Sequence, residues 1–252
     1  AGLATVISQC LALCWQIKIF ANPNELLHFK CGIYRLHASL VKLIVSIGIS
    51  PFLMNVCACI VVILVNRQLV TYGGDMAVGA FGVANAISTV FAMFVIGLNQ
   101  GMQPIAGYNY GSRQFDRLMR VLRLAIASAT AIMVVGWIVG MFFPKLVARM
   151  FTSDAQLIRM SVMAIHYNML MFPFIGFQMV VTNFFQCIGK VKISIFLSLS
   201  RQLILLIPLL LILPLRFNLD GVWAAVPTSD FTSAIIAGVF MLWYMRKFKR
   251  AM

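Results

Sequence analysis

Long apolar runs separated by short polar linkers are the feature that most constrains the fold of this chain. An α-helix needs about 20 apolar residues to cross the hydrocarbon core of a bilayer. Runs of this kind lie at 1–20, 41–70, 77–108, 118–146, 156–187, 193–215 and 221–244. Hydrophobic residues make up 62% of the chain and charged residues only 10%, which is more apolar than a water-soluble domain requires. The pattern predicts an all-α polytopic membrane protein with one truncated and six complete transmembrane helices.

The distribution of Lys and Arg between the runs predicts how the helices are oriented. Fifteen of the 20 basic residues fall on one side of the predicted membrane and five on the other. Cytoplasmic loops are enriched in Lys and Arg, so we expect the basic side to face the cytoplasm. This places the linker 21–40 and the C-terminus on the cytoplasmic side of a plasma (inner) membrane. The net charge of +14 then reflects topology and contact with membrane lipid, and we expect no nucleic-acid partner.

Amides inside the apolar runs indicate a cavity. Asn99 and Gln103 are four residues apart and share a helix face, and Gln178 begins a second polar face with the same spacing. A single buried amide is explained by an interhelical hydrogen bond. Two polar faces together favour a water-accessible cavity, and therefore transport, because amides are costly in hydrocarbon. The candidate lining residues are Asn55, Asn85, Asn99, Gln100, Gln103, Gln178, Thr182, Asn183 and Gln186.

Prolines inside the runs predict bent helices. Each proline removes a backbone hydrogen bond and tends to kink its helix. Kinks in most spans are typical of a transporter that bends between two states. The hinge candidates are Pro51, Pro104, Pro173, Pro208 and Pro227.

Asp230 is the only acidic residue deep inside an apolar run. Counted from the start of its run it lies about 14 Å into the membrane, and Arg201 reaches a similar depth from the opposite face. Because a lone charge is costly at that depth, we predict that the two side chains meet. Two interpretations stay open: a permanent ion pair that holds two helices together, or a protonatable carboxylate that couples transport to an ion.

Several classes of function find no support in the sequence. It contains no P-loop, HExxH or GxSxG motif, and its cysteines and histidines lack the spacing of metal ligands. We therefore expect no metal site and no cofactor other than H⁺ or Na⁺ as a coupling ion. An integral-membrane enzyme would need clustered catalytic acids or histidines, so a non-enzyme is predicted. A receptor-like seven-helix protein is a weaker alternative.

One motif resembles the signature of the multidrug and toxic compound extrusion (MATE) family. It is Gly101-Met102-Gln103-Pro104-Ile105-Ala106-Gly107-Tyr108-Asn109-Tyr110-Gly111. Three later stretches are similar to successive family segments: Phe185-Gln186-Cys187-Ile188-Gly189-Lys190, Arg201-Gln202 with Pro208, and Gly221 to Asp230. The resemblance implies a twelve-helix exporter of two six-helix lobes. Such exporters exchange H⁺ or Na⁺ for organic, often cationic, compounds by alternating access.

The resemblance also implies a division of the chain. Residues 1–20 would be the truncated last helix of the N-terminal lobe, 21–40 the cytoplasmic linker, and 41–252 the C-terminal six-helix lobe with its basic tail. The implied partners are the missing N-terminal lobe and a drug-like small molecule. A flippase for lipid-linked oligosaccharides, from the same broader superfamily, is the main alternative. Some family members bind a cation through acidic residues that runs 41–70 and 156–187 lack here, so the coupling ion stays open.

Overall fold

The computed structural model describes residues 2–22 and 38–249, and the regular elements in this part of the chain are all helical. The all-α prediction is therefore confirmed. The chain divides into two compact units, Ala1–Pro51 and Phe52–Met252. Most of the predicted linker 21–40 lies outside the described residues. The elements are α1 (Gly2–Phe20), α2 (Ala38–Gly111), α3 (Phe115–Phe142), α4 (Pro144–Phe151), α5 (Ala155–Met169), α6 (Phe172–Cys187), α7 (Val191–Leu199), the π-helical segment π1 (Ser200–Leu206), α8 (Ile207–Ile212) and α9 (Pro214–Lys249).

The helices have the length and hydropathy that a membrane requires. Within the described residues, five helices are long and apolar enough to cross a bilayer. A sixth span results if α5 and α6, which are bent by 46° relative to each other, act together. With 74 residues, α2 would extend about 110 Å, far more than a bilayer core of about 30 Å. A break at Gly74 divides it into halves that correspond to the predicted runs 41–70 and 77–108.

The non-helical positions inside the long helices are not prolines. Gly74 has φ 66° and ψ −170°, and Asn218 near the start of α9 has φ 49° and ψ −130°. Positive φ is readily adopted by glycine and is tolerated by asparagine. Both residues fall in the gaps between predicted apolar runs, at 71–76 and 216–220, although the predicted hinge residues were all prolines.

The five hinge candidates fall into two groups. Pro173 lies in the first turn of α6, where a missing backbone N–H removes no helical bond, whereas Pro208 lies at the start of α8, which continues π1 without a break. The bend between α5 and α6 directly precedes Pro173. The others lie within long helices, Pro51 and Pro104 in α2 and Pro227 in α9. Their role as hinges stays a prediction.

Close packing around α6 forms the centre of the second unit. This helix packs against α3, α7 and α9. A Cβ added at Gly176 would lie 2.9 Å from the carbonyl oxygen of Ala129, so α6 and α3 approach backbone to backbone. Small residues permit such an approach between membrane helices. On another side, the rings of Phe174 and Phe231 join α6 to α9 with centroids 5.6 Å apart in an edge-to-face arrangement.

Replacing Gly176 with alanine is expected to lower the thermal unfolding temperature of the full-length protein in detergent. The added methyl group meets the backbone of α3, and overpacking of this kind costs about 1–3 kcal/mol. Gly97→Ala is the matched control, because a Cβ added there would lie within 4 Å of no other helix in the described part of the chain. Equal unfolding temperatures for the two variants would contradict the close approach of α6 to α3.

Candidate functional site

Arg201 and Asp230 form an ion pair between π1 and α9. Nε of Arg201 donates a hydrogen bond to Oδ1 of Asp230 over 2.6 Å. The contact that the sequence predicted from matched depth is therefore present. The two partners differ in exposure, because the arginine side chain is 31% exposed and the aspartate side chain 2%. The carboxylate is buried, whereas part of the guanidinium faces open space.

Disturbed helical backbone positions both charged groups. Arg201 is the second residue of π1, a type of segment that occurs frequently at functional sites. Pro208 follows π1 and cannot donate a hydrogen bond to the carbonyl of Ile204, which interrupts the α-helical ladder there. Pro227 has the same effect in α9, less than one turn before Asp230. Both partners therefore lie in helix segments whose hydrogen bonding departs from that of a regular α-helix.

Each partner of the ion pair retains unused hydrogen-bonding capacity. Oδ2 of Asp230 is buried and has no hydrogen-bond partner within residues 2–22 and 38–249. Arg201 contributes only Nε, and no described residue accepts a bond from its two terminal NH₂ groups. The neighbouring hydroxyls bond elsewhere, because Ser229 donates to the Val226 carbonyl over 2.8 Å and Ser233 accepts from Gln178. Buried charged groups are normally fully hydrogen-bonded, so this pair can bind a further group or a proton.

A polar cavity of about 250 Å³, here called the amide cavity, adjoins Arg201. It lies between α2, α6, α7 and π1, and apart from Ile96 and Met179 its lining is polar. The amide oxygens of Asn99 and Gln178 are buried, without a partner among the described residues. Its lining residues are Ile96, Asn99, Gln100, Gln178, Met179, Thr182, Asn183, Gln186, Ser198, Arg201 and Gln202.

A second space of about 520 Å³, here called the mixed cavity, adjoins both members of the ion pair. Both halves of α2 contribute to it, together with α3, α5, α6, π1 and α9. Apolar side chains form most of its wall. Ser88 donates to the carbonyl of Ala84 over 2.8 Å, and its hydroxyl oxygen lies 3.4 Å from Oδ1 of Asn168, a contact between α2 and α5. The polar lining residues are Asn66, Asn85, Ser88, Thr89, Asn168, Arg201 and Asp230.

The structure places most of the sequence-predicted lining residues at these cavities. Asn99, Gln100, Gln178, Thr182, Asn183 and Gln186 line the amide cavity, and Asn85 lines the mixed cavity. Asn55 and Gln103 line neither of the two. Asn99 shares its cavity with Gln100 and not with Gln103, which lies on nearly the same face but about 6 Å further along the helix.

Sequence reasoning missed several lining residues. Ser198 and Gln202 are four residues apart beside the amide cavity, and this spacing was a usable signal. The polar residues of the mixed cavity other than Asn85, Arg201 and Asp230 were also missed. They come from α2 and α5, which are distant in sequence. Helical periodicity within one segment gives no information on such contacts.

A cysteine in place of Thr182 is expected to react with a small water-soluble thiol reagent, because this side chain lines the amide cavity. The experiment uses the full-length protein with its native cysteines replaced. Val181→Cys is the matched control, because the neighbouring side chain is fully buried in the core. Labelling followed by mass spectrometry measures the difference. Equally low reactivity at both positions would contradict a water-filled amide cavity.

Comparisons with known proteins identify relatives of this chain. The family model MatE matches residues 46–212. The multidrug export protein MepA of Staphylococcus haemolyticus is 25% identical over 246 residues, which cover 98% of this chain and 54% of that protein. MepA of Staphylococcus aureus is 24% identical over 237 residues, which cover 94% and 52%. The chain therefore spans about half the length of the curated relatives it matches.

Solved structures agree with these matches. The MATE multidrug transporter DinF-BH, solved as a ligand complex, is 36% identical and has a TM-score of 0.82, covering 95% of this chain and 54% of that one. An outward-facing MATE family transporter of the MOP superfamily is 21% identical with a TM-score of 0.81, covering 98% and 55%, and supports the fold alone. Because the matched residues 46–212 run from α2 to α8 and include Arg201, the chain belongs to the MatE family of membrane transport proteins.

Proposed function

We propose that this chain is the C-terminal part of a secondary active exporter of drug-like, often cationic, organic compounds. The observation that carries the proposal is the presence of two cavities, both bordered by Arg201 and other polar side chains, among helices long enough to cross a membrane. The names of the MepA proteins and of DinF-BH, which refer to multidrug export and multidrug transport, support it. Transport, not catalysis, is the activity that we assign to the chain.

In this proposal the full-length exporter consists of two six-helix lobes joined by a linker. Residues 1–20 end an N-terminal lobe, 21–40 connect the lobes, and 41–252 form the C-terminal lobe. Relatives about twice as long as this chain support a second lobe that supplies the other wall of the pathway. The charge bias supports a plasma (inner) membrane location with a cytoplasmic C-terminus. Alternating access of the cavities to the two sides of the membrane moves the substrate.

Asp230 is the proposed coupling residue, and a proton is the proposed coupling ion. The unpartnered Oδ2 can take up a proton in its buried position, whereas Na⁺ would need several oxygen ligands. Protonation neutralises the carboxylate and removes its charge attraction for the guanidinium of Arg201. The arginine can then move away from α9. A pair that never separates is the competing interpretation, in which the two charges only hold π1 against α9.

Cells that produce the full-length protein are expected to accumulate less of a cationic dye than cells with an empty vector. An outward-directed exporter driven by an ion gradient removes the dye, so a protonophore should eliminate the difference. Fluorescence of washed cells measures accumulation. Unchanged dye levels across several chemically distinct cations would count against drug export.

Asp230→Asn is expected to abolish dye transport driven by a pH gradient in proteoliposomes of the full-length protein, because asparagine cannot carry the coupling proton. Asp220→Asn, an exposed position on the same helix, is the matched control and should retain transport. The unfolding temperatures of both variants are measured in parallel. Normal pH-driven transport by a less stable Asp230→Asn protein would support the purely structural ion pair. Transport that follows a Na⁺ gradient and ignores pH would contradict the choice of ion.

A further inference from the structure

One face of α3 is positively charged at its first end and apolar along the rest of its length. This face, here called the outer face of α3, is defined by Arg117, Arg120, Leu124, Val135, Ile138 and Phe142, all of which are exposed. At about 100° per residue, the six side chains fall within a sector of roughly 60° around the helix axis. Leu124 is 62% exposed and Phe142 is 68% exposed. The six side chains therefore form one continuous strip along the helix.

The opposite face of α3 makes the contacts with the other helices. The helix packs against α4, α5 and α6, and its buried residues recur at spacings of three and four from Leu118 to Gly140. No residue of α3 lines the amide cavity, and the one that lines the mixed cavity, Met133, is buried. The outer face of α3 thus points away from both cavities. Lipid is the material that a membrane leaves to cover it.

The length of the apolar part places the two arginines at the level of the lipid headgroups. From Leu124 to Phe142 the helix rises about 27 Å, close to the hydrocarbon thickness of about 30 Å. Arg120 precedes Leu124 by about one turn and Arg117 by about two. Acyl chains can therefore contact the apolar part of the outer face while the guanidinium groups meet the headgroups.

The positive charge at this end of α3 is not balanced within the described residues. Residues 112–124 contain four arginines and one aspartate, which gives a net charge of +3. Asp116 lies four residues before Arg120, a spacing that permits an ion pair. Even so, no described carboxylate forms an ion pair with Arg113, Arg117, Arg120 or Arg123. Guanidinium groups bind phosphate oxygens through pairs of N–H donors, so a phosphate is a suitable external counter-charge.

We propose that the outer face of α3 binds an anionic phospholipid. Arg117 and Arg120 hold the phosphate of the headgroup, and one acyl chain lies along the apolar strip that begins at Leu124. A zwitterionic lipid binds less well, because its ammonium group adds a positive charge beside the arginines. The inference needs only that α3 crosses the membrane, so it is independent of the proposed export function.

Quenching of a fluorophore on the outer face by two spin-labelled lipids tests the proposal. A bimane label is attached at Leu124→Cys in the full-length protein, with its native cysteines replaced, and the protein is reconstituted in phosphatidylcholine vesicles. Phosphatidylglycerol or phosphatidylcholine with a nitroxide near the headgroup end of the acyl chain is then titrated in. Phosphatidylglycerol is expected to associate about fivefold more strongly, roughly the factor that one basic residue supplies near an anionic surface.

Two double variants separate a local site from the general charge of the membrane surface. Arg117→Gln/Arg120→Gln is expected to remove the preference, so that both lipids quench equally. Lys190→Gln/Lys192→Gln is the matched control, because it removes two exposed cations from the same predicted side of the membrane. It should leave the fivefold preference unchanged. All four positions are exposed, so the substitutions disturb no packed core.

Three outcomes would overturn the lipid site. The first is equal quenching by the two lipids in the protein that retains all its arginines. The second is an equal loss of preference in both double variants, which would assign the effect to diffuse surface charge. The third is weak quenching by either lipid together with disulfide-linked dimers of unlabelled Leu124→Cys, which would show that a second copy of the chain covers this face. Dye export by cells is measured separately and is not altered by any of these results.

Discussion

The need to neutralise charge inside a membrane governs the central part of this structure. Asp230 is buried in α9, and Arg201 meets it from π1 through a single hydrogen bond of 2.6 Å. Removing one partner would leave an unpaired charge, which is strongly destabilising in a buried site. The pair therefore joins π1 to α9. Both cavities adjoin this contact, so their shapes depend on it.

The class of fold could be predicted because its cause is local. A run of apolar residues long enough to span a bilayer is visible in the sequence, and the helices follow the predicted runs closely. The interruptions were predicted in part. Gly74 and Asn218 break helices in the gaps between predicted apolar runs, although neither residue was named as a helix breaker. The bend between α5 and α6 was not predicted, because it lies inside one continuous apolar run.

The site could be predicted in part, for similar reasons. The ion pair followed from matched depth, because only one acidic residue lies deep in the membrane. The polar face of α6 followed from four-residue spacing. The mixed cavity did not, because Asn66, Ser88 and Asn168 come from elements that meet only in the folded lobe. Their proximity is a property of tertiary packing, which one sequence does not reveal.

The π-helical form of residues Ser200–Leu206 determines which neighbour Arg201 faces. A π-bulge accommodates one residue more than an α-helical turn of the same length. Each residue of an α-helix advances the direction of its side chain around the axis by about 100°. With α8 in its present orientation, a regular α-helix over this segment would therefore turn the guanidinium away from Asp230. The backbone form of seven residues thus selects the side chain that meets the buried carboxylate.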